Sequence, residues 1–139
     1  MGISVFSQIS WLHILVATIA YFMLGAIWYS FLFQKQWIAH HRIDVNDPEA
    51  KKGVGLIMSL SFLLFFVICT ALAVIVRELN LHVLLSGIKL GLFTGIGFSA
   101  MAISITYLYL KKPLGLHFID GMYHVTGQVI AAMILCAWH

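Results

Sequence analysis

The chain has 139 residues, of which 62% are hydrophobic and 9% charged, with a formal net charge of +3. A soluble domain is about half apolar and about a quarter charged, and could neither hide nor coat this much apolar surface. A soluble domain, a disordered chain and a nucleic-acid binder are therefore excluded; with a mean hydropathy of +1.00, an all-α integral membrane protein in the lipid bilayer is expected.

Four apolar segments follow one another along the chain. The first covers residues 9–33 and has no Asp, Glu, Lys or Arg. At ~1.5 Å per residue it reaches ~37 Å, long enough to span a bilayer with some tilt. The first cationic side chain is Lys35, so the basic region of a cleavable signal peptide is missing and this segment is expected to stay in the mature protein. A polar loop follows, residues 34–52. Its Asn46-Asp47-Pro48-Glu49 reads as a helix start, and Trp37 with His40, His41 and Arg42 either lies along the headgroups or forms a solvated linker.

The second segment, residues 53–76, is free of charge, and Arg77-Glu78-Leu79-Asn80 connects it to the third, residues 84–110. Lys89 lies near the start of the third segment, where its stem reaches back to the interface. Pro113 closes that segment, and the fourth covers residues 118–138 with Asp120 in its first turn. A single four-helix transmembrane domain is expected over residues 1–139. With both termini outside, the inner loops hold Lys35, Arg42, Lys51, Lys52, Lys111 and Lys112, and the outer side only Arg77 and Lys89. The positive-inside rule selects this orientation, in the cytoplasmic membrane of a bacterium.

Two local patterns carry the candidate roles. In the third segment Gly87, Gly91, Gly95 and Ser99 recur every four residues, which makes a packing face for another backbone. Its partner is either the first or second segment, a second copy of the chain, or another membrane protein. At the inner end, Trp28 and Tyr29 close the first segment and Tyr107 closes the third. Asp120, Tyr123, His124 and Gln128 open the fourth. Asp120 and His124 are four apart and share a face, and Gln128 continues it one turn deeper.

Three readings of that face stand side by side. In the first, Trp28, Tyr107 and Tyr109 form an interfacial aromatic belt and Asp120 caps the fourth helix, with His124 a packing residue bonded to a neighbour such as Tyr29. In the second, the cluster is a polar inner vestibule for an ion, proton or small solute. The third makes Asp120 and His124 the orienter and base of an enzyme, but no nucleophile, second carboxylate or metal set accompanies them. Cys69 and Cys136 sit in apolar runs and read as small buried hydrophobes. The histidines offer no set of ligands at one depth, so neither a metal nor a cofactor is expected.

The stretch Gly25-Ala26-Ile27-Trp28-Tyr29-Ser30, continuing through Phe31-Leu32-Phe33 to Lys35 and Trp37, pairs with Asp120-Gly121-Met122-Tyr123-His124 and a closing Ala137-Trp138. Taken together with four segments, these motifs make the chain resemble the bacterial family catalogued as domain of unknown function 1761, over nearly its whole length. In that family a Pro tends to follow the Trp-Tyr-Ser triplet, a Gly to precede the loop Lys, and an Asn to stand at the place of Asp120. Here those positions hold Phe31, Gln34 and Asp120. The resemblance implies a four-helix membrane protein and lends no catalytic residue. The expected function is that of a non-enzymatic small-solute or ion conduit acting as an oligomer. The alternative is an accessory subunit docking a partner through its Gly-rich face.

Overall fold

Each of the four apolar runs folds as one helix long enough to cross a membrane, in a computed structural model that describes residues 3–32 and 53–138. The loop features at Trp37, His40, His41 and Asp47 lie outside the described residues. A short turn of helix, Val5–Gln8, precedes the first span. The first span, Trp11–Ile27, starts at Ser10, whose hydroxyl accepts from the His13 N–H at 3.4 Å, a side-chain cap on an otherwise orphan donor. Its buried residues Ile14, Ala17, Thr18 and Tyr21 follow the spacing of one helical face. The span ends in a wide π-helical turn, Trp28–Leu32.

The second span, Val54–Glu78, is closed by Asn80 in the left-handed region at φ 56°. There the Leu81 N–H reaches the Val76 carbonyl and the Asn80 N–H that of Arg77, the paired bonds of a Schellman cap. The third span runs as Leu84–Thr94, a π-helical stretch Gly95–Ala100, and Met101–Tyr109. It closes the same way, with Lys111 at φ 53° and the Lys112 N–H bonded to the Tyr107 carbonyl. Pro113, extended at φ −64° and ψ 151°, then starts the fourth span at Leu114–Ala137. That start is four residues earlier than the sequence pattern indicates, because Pro supplies the fixed φ of a helix entry as readily as a stop. The described residues contain no strand, and the fold is an all-α four-helix bundle.

The fourth helix is the hub. Of its most apolar window 56% is buried, against 22–28% for the other three, and it touches all of them. The glycine face of the third helix lies against it. A Cβ added at Gly87 would stand 2.8 Å from the Ala132 carbonyl oxygen, at Gly91 2.3 Å from Val129 Cα, and at Gly95 2.7 Å from Val125 Cα. The expected partner within the chain, the first or second helix, is thus replaced by the fourth helix. The face packs within the chain, against the fourth helix and not the first or second. The two termini share one end of the bundle, where the His13 ring stacks on Trp138 at 3.9 Å.

Because the atoms facing Gly91 are backbone, a side chain there cannot be accommodated by a rotamer change. Gly91→Val is expected to lower stability by about 1–3 kcal/mol, read as thermal unfolding in detergent. Gly97→Val, whose Cβ would meet nothing within 4 Å, serves as the control and should differ little from the parent.

Candidate functional site

On the fourth helix His117, Asp120, His124 and Gln128 follow one another at spacings of three, four and four, which holds them on a single stripe. The early start at Leu114 puts Asp120 about two turns inside the helix, so it caps nothing. It is 6% exposed, and a carboxylate in such a place needs strong donors. It has two. Tyr29, from the wide turn ending the first helix, donates to Oδ1 at 2.6 Å, and Tyr107 of the third helix donates to Oδ2 at 2.5 Å. One carboxylate therefore joins three helices. The aromatic-belt reading places Tyr107 at an interface, yet its hydroxyl turns inward. Tyr109, 86% exposed, has no part in the cluster.

Trp28 stands beside this junction and donates its indole N–H to the Ile119 carbonyl at 3.0 Å. Consecutive residues of an α-helix point about 100° apart; the wide turn at Trp28–Leu32 lets both Trp28 and Tyr29 reach the fourth helix. On the other side, the His117 ring meets Tyr107 edge-on at 5.5 Å.

One turn deeper, His124 Nδ1 shares a 2.6 Å hydrogen bond with the Tyr21 hydroxyl. The expected partner, Tyr29, is taken by Asp120. Tyr21 is fully buried, its ring stacked on Phe65 of the second helix at 4.7 Å. Tyr123 donates to the Tyr21 carbonyl at 2.9 Å. Glycines make room for both rings: a Cβ at Gly127 would lie 2.6 Å from the Tyr21 ring, and at Gly25 2.8 Å from the Tyr123 hydroxyl. Deeper still, the buried Gln128 donates its amide to the Ser99 hydroxyl. Ser99 lies in the π-helical stretch of the third helix and continues the glycine face as a polar tie.

The structure brings together Trp28, Tyr29, Tyr107, Asp120, Tyr123, His124 and Gln128 along one side of the fourth helix. Sequence reasoning missed Tyr21 and His117. His117 carried a legible signal, since it extends the Asp120–His124–Gln128 stripe by one turn. Tyr21 carried only its oddity as a tyrosine in an apolar run. Toward the termini the core turns apolar, through Ala131, Ala132, Leu135, Ile14 and Leu72. No group of three or more His, Cys, Asp or Glu side chains converges among the described residues. Asp120 and His124 are each bonded to tyrosines.

Chemically, the arrangement is a ladder of hydrogen-bonding groups in which Asp120, His124 and the tyrosines are ionisable and Gln128 is not. Two hollows lie elsewhere. One of about 150 Å³ is at the termini end, lined by Gln8, Ser10, His13, Arg77, His82 and Trp138 among others. The other, about 850 Å³, is an almost wholly apolar groove between the N-terminal turn and the second helix. Neither includes a ladder residue.

A family model described as a protein of unknown function, DUF1761, matches residues 12–136. No curated protein and no solved structure matches the chain.

Removing one donor from Asp120 leaves a buried carboxylate half-satisfied. Tyr29→Phe and Tyr107→Phe are each expected to destabilise the bundle by about 1–2 kcal/mol, while Tyr109→Phe changes stability little. Unfolding in detergent measures all three. Combining each change with Asp120→Asn should show non-additivity, as expected for groups in direct contact.

Proposed function

The chain belongs to the DUF1761 family, and we propose that it is a non-enzymatic proton conduit of the bacterial cytoplasmic membrane that acts as an oligomer, with both termini outside. The observation that carries this reading is Asp120, buried in an apolar bundle yet bonded to two tyrosines, with His124 and Gln128 one and two turns deeper. Ionisable groups are costly inside a membrane, and they characteristically mark proton or ion pathways there. From His117 to Gln128 the ladder covers ~16 Å of helix, about half of a ~30 Å hydrocarbon core.

Protons fit the ladder better than solutes do. The ladder consists of hydrogen-bonded hydroxyl, carboxyl, imidazole and amide groups joined directly to one another, and the two hollows described above lie away from it. The enzymatic reading is weaker for the same reason: Asp120 and His124 face tyrosines inside the bundle, away from both hollows. An oligomer enters because the other half of this bundle is apolar, so that the remainder of the path would run between protomers. The second helix offers a surface for it, since residues 54–60 are all exposed.

Reconstitution into liposomes with an internal pH dye, under a potassium potential, tests the reading. The parent protein should acidify the vesicles faster than empty liposomes. Asp120→Asn and His124→Ala should each slow the flux about tenfold or more, equivalent to ~1.4 kcal/mol on the barrier, measured well below the unfolding temperature of each variant. Flux equal to that of empty vesicles, or undiminished in both variants, removes the conduit.

A further inference from the structure

We propose that the cavity at the termini end is a binding site for a phosphate group, carried by a soluble phosphate ester or by a phospholipid headgroup. The cavity measures about 150 Å³, room for a phosphate with a small substituent, and its walls come from the N-terminal turn, the first two helices, the connection after the second, and the end of the fourth. It lies at the opposite end of the bundle from Asp120 and shares no residue with the ladder.

The polar groups of the wall are biased toward donating. Arg77 supplies a permanent positive charge. Its Nε donates to Gln8 Oε1 at 3.2 Å, which fixes the guanidinium at the rim and leaves the two Nη groups for a ligand. The same bond uses the acceptor of Gln8 and leaves its amide donors. Ser10 is arranged alike: its oxygen accepts from the His13 N–H, and its O–H remains to donate. The imidazoles of His13 and His82 complete the polar wall, with His13 held flat against Trp138.

Among the described residues, no side-chain carboxylate lines this cavity. The adjacent acid, Glu78, lines the apolar groove on a neighbouring face of the second helix instead. Donors approaching from separate elements around a fixed cation suit a tetrahedral oxyanion, whose oxygens point in several directions, better than a flat carboxylate. Ile9, Ala73, Val76, Leu81 and Leu135 form the apolar remainder of the wall and would meet the carbon substituent of an ester.

Two arms separate the sources. In the first, detergent-solubilised, delipidated protein is titrated with glycerol 3-phosphate by calorimetry. In the second, native mass spectrometry follows retention of phosphatidylglycerol. Arg77→Gln should weaken whichever binding occurs about tenfold or more, a factor worth ~1.4 kcal/mol. Ser10→Ala should weaken it less, and Lys89→Gln, a cation outside the cavity, should leave it unchanged. Saturable, Arg77-dependent heat with glycerol 3-phosphate assigns the site to a soluble ester. Arg77-dependent lipid retention without such heat assigns it to a headgroup. Absence of both, or binding indifferent to Arg77→Gln in a variant that unfolds at the parental temperature, overturns the proposal.

Discussion

A carboxylate placed inside an apolar bundle must be satisfied there, and the way Asp120 is satisfied governs much of this fold. Its two oxygens take one tyrosine from the first helix and one from the third. Translation of either helix by a few ångströms, or rotation by one residue, would strand a buried charge. The glycines at 87, 91 and 95 set how closely the third helix approaches the fourth, and Asp120 sets its rotation. The Gln128–Ser99 bond ties the same two helices; without close approach the carboxylate would be out of reach of Tyr107.

The second helix stands outside this polar junction. It is held by aromatic and aliphatic contacts, above all Phe65 against Tyr21 and Phe62 against Phe22, and by the cluster around Cys69, Leu72 and Ala73. Its buried residues begin at Cys69, and residues 53–60 at its start are all exposed. The bundle is therefore three helices joined by polar ties at one end, with all four joined by apolar packing at the other. Through Tyr21 the two regimes meet: its ring belongs to the apolar cluster and its hydroxyl to His124.

Composition and the four charge-poor runs made the architecture legible, because a bilayer allows few ways to satisfy a backbone. The inner face of the fourth helix was legible as a stripe, since spacing on one helix is a local property. What was hidden depends on which helix lies beside which. The glycine face announced a close contact without naming the fourth helix as its partner. Tyr21 meets His124 across 103 positions, and no local pattern encodes that pairing. Asp120 reads as a cap only if Pro113 does no more than end one helix; it also begins the next, displacing every residue of that helix from its terminus by a full turn.

The two wide turns bear on how the chain tolerates changes of length. A face repeating every four residues drifts by about 40° per step on an α-helix, so about 200° separates Gly87 from Tyr107 in ideal geometry. The π-helical stretch Gly95–Ala100 lies midway. One additional residue in a wide turn winds the following residues back by about 100°, which removes about half of that drift and carries Tyr107 toward the side already facing the fourth helix. Trp28–Leu32 is a second wide turn, with Tyr29 at its second residue. The wide turn of the third helix is thus a phase correction written as one surplus residue. Loss of a single residue there would leave hydropathy and span length nearly unchanged, yet turn a tyrosine away from its carboxylate.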